Sequence, residues 1–220
     1  MQMMKAAVIH RRGGLEDLSV EEVPIPEIGP DGALVRIRAC GFNHKDIWAL
    51  KGPPQPVFPW KEPEYPLIVG GDVVGEVVEV GSNVTSVQPG ERVILYGGLS
   101  CGKCEYCLVG EQSMCLDYKI LTQEQQGGFA EYIAVPADQL EPLPDSIDWI
   151  HGAAIAVGFT TAWRLVVRAG EVTAGDDVLV LGAGGGVGVA AMQIALRAGA
   201  RVFAGASTEV KRRRAIEMGA

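Results

Sequence analysis

Residues 178–201 read VLVLGAGGGVGVAAMQIALRAGAR. The apolar run 178–181 has no polar interruption, as expected of a strand covered on both faces. Five glycines follow between positions 182 and 188. Ala183, Gly185 and Gly188 satisfy an A-x-G-x-x-G spacing, with Gly182, Gly184 and Gly186 as further flexible positions. The stricter G-x-G-x-x-G form fails at Val187. The pattern predicts a helix over 187–198 closed by Gly199, then a second strand over 201–206, and so a β-α-β unit. A glycine turn that opens a helix lets backbone N–H groups approach a pyrophosphate, and the helix N-terminus adds partial positive charge. Gly182, Ala183, Gly184, Gly185, Gly186, Val187 and Gly188 are therefore the predicted dinucleotide-binding residues. Residues 178–196 carry no charge, which raises a membrane span. The glycines and the strand–turn–helix grammar argue against it.

The remaining composition narrows the class. The chain has 220 residues, 48% of them hydrophobic, enough for a substantial core. Nineteen basic and 27 acidic side chains leave a net charge of −8. That balance argues against nucleic acid or an anionic membrane as partner. The N-terminal MQMMKAAVIHRRGG lacks the apolar core of a signal peptide, so a cytoplasmic setting is expected.

The first half reads as β-rich. Strands are predicted over 5–11, 18–23, 33–39, 73–80, 92–96 and 129–135, with a short helix over 46–51 and an irregular proline-rich loop over 53–66. From position 149 the pattern becomes helical, over 151–156 and again over 160–167. A domain boundary is placed near residue 145: a β-rich domain over 1–145, then an α/β nucleotide domain over 146–220. The second domain has only two predicted strands, with one more helix over 209–218. A doubly wound sheet needs more, so a truncated cofactor domain with an uncovered apolar edge is expected.

Four of the five cysteines cluster. Cys101, Cys104, Cys107 and Cys115 run C-x2-C-x2-C-x7-C. Two-residue gaps let neighbouring thiolates converge on one ion, and four thiolates suit a closed tetrahedral structural zinc. The rivals are an iron–sulfur cluster, whose usual final gap is three residues before a Cys-Pro pair, and unmetallated thiols. The metal lobe is placed at 97–119.

With both motifs in one chain, the sequence resembles the medium-chain dehydrogenase/reductase family of zinc-containing alcohol dehydrogenases and quinone oxidoreductases. GDVVGEVVEVG at 71–81, GGFAEYIAVPA at 127–137 and AGGGVGVAAMQIA at 183–195 extend the match over essentially the whole chain. The resemblance implies a GroES-like domain, a Rossmann-like cofactor domain, a small-molecule substrate, and a homo-oligomer at full length. Its alcohol dehydrogenases also carry a catalytic zinc, and there the pattern departs. Their first ligand is the second cysteine of C-G-x-C-H-[ST]-D, where this chain has Asn43 in Cys40-Gly41-Phe42-Asn43-His44-Lys45-Asp46. Their second is the histidine of G-H-E, where this chain has Gly70-Gly71-Asp72. Their third is a cysteine shortly before a threonine resembling Thr161, and residues 156–160 offer none. Lys45 stands in place of the proton-relay hydroxyl.

Without a Lewis acid to hold an alkoxide, the easier hydride chemistry is reduction of an activated acceptor. That means a conjugated C=C or a quinone, with a donor on the carbonyl oxygen. His44 and Lys45 are the candidate catalytic residues. Asn43 resembles the asparagine near the nicotinamide ribose in zinc-free members, and Thr161 the threonine beside the nicotinamide. Asp46 reads first as a helix N-cap, Asp72 as a strand-end turn, Cys40 as a core thiol; Trp60 and Tyr65 are candidate cleft walls. NAD sites place an acid after the second strand. Here the stretch is Ala206-Ser207-Thr208, and Ser207, Lys211 and Arg212 are placed to receive a 2′-phosphate, so NADP is expected over NAD. Two other readings stay open. One is an alcohol dehydrogenase with an atypical metal site at His44, Asp46 or Asp72. The other is a zinc- and nucleotide-binding module without turnover.

Overall fold

The computed structural model describes residues 2–53 and 63–220. Trp60 lies outside the described residues. The chain divides into two compact units, Met1–Ala156 and Val157–Ala220.

The first unit is β-rich, as its alternating and valine-rich runs predict. Strand β1 is Met3–Ile9, β2 Leu18–Pro24 and β3 Gly32–Gly41; helix α1 is His44–Lys51. Then come β4 Leu67–Ile68, β5 Asp72–Val80, β6 Arg92–Leu95, β7 Gly98–Leu99, helix α2 Glu105–Leu108, β8 Lys119–Ile120, β9 Tyr132–Pro136 and β10 Leu140–Pro142. These strands form a three-stranded sheet in the order β2-β1-β4, a five-stranded sheet β10-β6-β5-β3-β9, and a β7-β8 ribbon. The first two sheets meet at a bridge between Ala6 and Ala130. The inward side chains of β3, β5, β6 and β9 make the main core: Val35, Val73, Val77, Val93, Leu95, Ile133 and Val135, closed by Leu99 and Leu121. Each such side chain contributes about 1.5–3 kcal/mol on burial. The long predicted strands are all present, with ends moved by a few residues. The very short β4, β7, β8 and β10 are absent from the sequence reading, because two or three residues set up no periodicity.

Helix α3 runs from Trp149 to Trp163 and continues as a π-helical turn, Arg164–Ala169. The two separate helices predicted there are one. Gly158 costs about 1 kcal/mol in a helix interior without ending it, and Thr160 Oγ1 donates back to the Val157 carbonyl at 3.2 Å. The run Trp149–Ala169 is long and apolar enough to cross a bilayer by length and composition.

In the second unit β11 is Asp177–Leu181, α4 Gly186–Arg197, β12 Arg201–Gly205 and α5 Glu209–Glu217. β11 and β12 pair in parallel, Asp177 opposite Arg201 through Leu181 opposite Gly205. The uncharged stretch at 178–196 is therefore a strand, a turn and a helix, not a single span. α4 buries Ala190, Ala191, Met192 and Ala195 in a core with Val180 and Val202. The alternate strand residues Leu179, Leu181 and Phe203 are exposed.

Candidate functional site

The cysteine lobe is the connection between β7 and β8, at one end of their ribbon. Cys101 follows β7, Cys104 caps α2, Cys107 lies within α2, and Cys115 follows a 3-10 turn at Gln112–Met114. All four Sγ atoms lie within 4.8 Å of one another. The Cys104–Cys107 separation is 3.5 Å and the Cys101–Cys107 separation 4.0 Å. Thiolates at zinc's bond length on a tetrahedron stand about 3.8 Å apart, so the donor set fits that ion. Backbone N–H groups already face the sulfurs: Cys101 N–H donates to Cys115 Sγ at 3.2 Å and Cys104 N–H to Cys101 Sγ at 3.3 Å. N–H groups of Leu116 and Cys107 pull the Cys104 thiol down to about 6. Burial pushes Cys107 up to about 11, a penalty that a dication removes. Among the described residues this is the one set of three or more His, Cys, Asp or Glu side chains whose ligand atoms converge. Among the described residues His44, Asp46 and Asp72 form no such converging set, which gives the atypical metal site read from them no geometric support.

A second cluster sits at the start of α1. Asn43 is the N-cap, and the segment has the reciprocal form of a capping box. Asn43 N–H donates to Asp46 Oδ2 at 2.7 Å, and Asp46 N–H to the Asn43 carbonyl at 3.0 Å. Asp46 is therefore not the N-cap its position suggested; it is the third helical residue. Its other oxygen accepts from Gly70 N–H at 2.9 Å. Asp72 is the first residue of β5 rather than part of a turn, and its carboxylate accepts the Asn43 side-chain amide. Both carboxyls are nearly enclosed, each residue 4% exposed. Burial raises the Asp46 pKa against the opposing pull of its hydrogen bonds and of Lys45.

Lys45 is half-buried, not a solvated side chain, and its Nζ donates to the Leu121 carbonyl. Desolvation lowers it to about 8, although Asp46, Glu124 and Asp72 each pull upward. Cys40 is half-buried and packs against the main core; burial and the two aspartates push its thiol up to about 12, which makes it inert. His44 is exposed, its ring 6.5 Å from that of Trp48. Tyr65 is pinned to α1, its hydroxyl donating to the Ala49 carbonyl at 2.8 Å. The sequence reading missed Leu121 and Glu124. Leu121 acts through a backbone carbonyl, which no side-chain pattern reveals, and Glu124 reads as an ordinary loop acid.

The glycine turn joins β11 to α4. Gly182 takes φ +68°, in the left-handed region that favours glycine. Ala183 N–H donates to the Gly205 carbonyl at 3.0 Å, tying the turn to the end of β12. A Cβ on Gly188 would come within 2.3 Å of the Gly182 carbonyl, so only glycine lets the helix approach the strand this closely. Gly185 caps α4, and Gly184, Gly185 and Gly186 are exposed at its N-terminal end. The aliphatic stem of Lys211 lies across Gly184. Arg212 is held by Glu209, 3.1 Å away, and by the Ala206 carbonyl, 3.0 Å away. Ser207 is exposed between β12 and α5, and Thr161 is exposed on α3. The structure thus gathers the four cysteines, gathers Asn43 and Lys45 about Asp46 and Asp72, and sets Lys211 against the glycine turn.

Residues 29–145 match the alcohol dehydrogenase GroES-like domain. An alcohol dehydrogenase of Schizosaccharomyces pombe is 36% identical over 201 residues, covering 90% of this chain and 55% of that protein. An acryloyl-coenzyme A reductase of Sulfurisphaera tokodaii is 34% identical over 210 residues, covering 94% and 60%. A crystal structure of an NAD-dependent alcohol dehydrogenase superposes with a TM-score of 0.90 at 45% identity, over 99% of this chain and 62% of the other. The chain thus spans less than two thirds of the length of each. The motif pattern, the β-rich unit and these matches agree: the chain belongs to the medium-chain dehydrogenase/reductase family, with residues 29–145 its alcohol dehydrogenase GroES-like domain.

Proposed function

We propose that the chain is part of an NAD(P)H-dependent oxidoreductase that reduces an activated C=C bond or a quinone and uses zinc only structurally. The observation that carries this reading is the state of the ligand positions. Asn43, where the family's alcohol dehydrogenases place a cysteine ligand, spends its amide on the Asp72 carboxylate. Gly71, where they place a histidine, has no side-chain ligand atom. An acryloyl-coenzyme A reductase among the relatives is consistent with this choice of reaction.

The Cys101, Cys104, Cys107 and Cys115 thiolates would hold the zinc and leave no open coordination position. In the second unit residues 182–188 would hold the cofactor pyrophosphate, as the first half of a Rossmann-like sheet; the family resemblance gives Asn43 and Thr161 roles at the nicotinamide. Bound NAD(P)H supplies the hydride. Lys45 supplies the proton side of the chemistry: its Nζ carries a positive charge below about 8 and gives it up readily above. A cation of that kind stabilises negative charge developing on a substrate carbonyl oxygen. Exposed His44 is the second candidate donor. For the cofactor we infer NADP over NAD. No acid follows β12 before Glu209 of α5, and Lys211 already lies on the turn, while Arg212 is engaged by Glu209. We place the protein in the cytoplasm, off the membrane, as a homo-oligomer with a small-molecule substrate.

The full-length enzyme tests this. Turnover of an enone, a quinone or an enoyl thioester with NADPH should far exceed alcohol oxidation with NADP⁺, at one zinc per chain. Two zincs per chain with alcohol as the better substrate would reverse the assignment. Cofactor binding without turnover on any of these substrates would favour a non-enzymatic module.

A further inference from the structure

The ribbon that carries the cysteines and the Lys45 ammonium meet at one residue, Leu121. Lys45 Nζ donates to the carbonyl of Leu121. Leu121 comes immediately after β8 and donates its own N–H to the Gly97 carbonyl at 3.1 Å, immediately before β7. Between those strands run residues 100–118, which contain all four cysteines. The ribbon itself has only two residue pairs, Gly98 with Ile120 and Leu99 with Lys119. A ribbon that short does not hold its register alone. A metal clip that closes the intervening loop restricts both ends at once.

The other side of Leu121 is a tight turn. Thr122 is fully buried at φ +71°, an unfavourable conformation for a β-branched residue. It is held by Thr122 N–H to the Gln125 carbonyl at 2.8 Å and Ile120 N–H to Glu124 Oε2 at 3.0 Å. The Leu121 side chain is anchored in the main core. That anchor fixes where the residue sits. Its carbonyl shares a peptide plane with the Thr122 N–H that Gln125 holds, and this turn is tied back to the ribbon residue Ile120, whose carbonyl accepts from Gln123 and Glu124 N–H at 3.2 and 3.1 Å.

We propose that the metal held by Cys101, Cys104, Cys107 and Cys115 positions the Lys45 ammonium, acting through the β7-β8 ribbon and the Leu121 carbonyl. Its bearing on catalysis rests on Lys45 being the proton donor; its structural content does not. The groups that face Lys45 are Asp46 of its own helix, Asp72 of β5 and Glu124 of the turn, with the Leu121 carbonyl as the direct acceptor. Loss of register at Ile120 loosens the turn that aims that carbonyl and frees the Lys45 side chain to reach water.

The test uses the full-length protein, with and without its zinc, stripped by a chelator. The Lys45 amine is titrated by pulsed reductive methylation read by peptide mass spectrometry, and amide hydrogen exchange follows β3, β5 and Leu121. With zinc bound the labelling midpoint lies near 8. Without zinc it moves by roughly one unit or more toward the ordinary lysine value of 10.5. Leu121 amide protection falls about tenfold, while β3 and β5 keep theirs. Lys119→Pro breaks the ribbon without touching a cysteine or the core, and moves the midpoint the same way with one zinc still bound. Should the stripped protein unfold, that variant decides. A midpoint that stays near 8 in the folded zinc-free protein or in zinc-loaded Lys119→Pro overturns the proposal. Lys45→Met with undiminished reductase activity would remove the proton-donor reading instead, leaving the positioning to the labelling result.

Discussion

Lys45 and Asp46 are sequence neighbours of opposite charge, and burial drives both toward neutrality: the amine down to about 8, the carboxyl upward. For Lys45 this means a donor that is charged below its midpoint and lost above it. The reductive kcat/KM should therefore fall as pH rises through about 8, and Lys45→Met should lower it by roughly 10²–10⁴-fold; a pH–rate profile of parent and variant checks both. For Asp46 the folded pKa lies above the unfolded one, so the folded chain binds the extra proton. Its contribution to stability is fullest at low pH and declines as pH rises from 3.8 through the raised value. Asp46→Ala strands the Asn43 and Gly70 N–H groups, at about 1–3 kcal/mol each. Denaturant titration should show that loss; a cost near zero contradicts the capping geometry. The sequence showed the spacing of Asn43 and Asp46 but not which of them caps. Both are good N-caps, and the choice depends on Gly70 arriving from the loop between β4 and β5 to occupy Asp46. Leu121 was invisible for a different reason: its functional atom is common to every residue type.

Elements were legible in proportion to their length. The nine-residue β5 and the glycine turn with its helix announce themselves through valine runs and glycine spacing. The two-residue ribbon strands do not, because pairing partners and not periodicity create them. The convergence of the four cysteines was legible from spacing alone, since two-residue gaps constrain thiol geometry directly. Binding worth roughly 10–16 kcal/mol at a four-thiolate site would hold that lobe together. Cys104→Ser should release the zinc and raise hydrogen exchange across 97–119 first; retained zinc at full occupancy contradicts the assignment. In the second unit, Gly188→Ala forces a Cβ into the Gly182 carbonyl, 2.3 Å away. NADPH affinity should drop by about tenfold or more and the melting temperature should fall, as isothermal titration and calorimetry would show.

For the molecule as a whole, the acidic balance and the two motifs narrowed the class, and the missing ligands narrowed the chemistry. The division into units at Ala156 falls inside α3, whose helical run gives no sequence signal of a boundary. The most direct test of a dehydrogenase fold working with a structural metal only is anomalous scattering at the zinc edge from crystals of the full-length protein. The account predicts one peak, among Cys101, Cys104, Cys107 and Cys115, and none at Asn43, Asp46 or Asp72. A second peak within bonding distance of any of those three would contradict it.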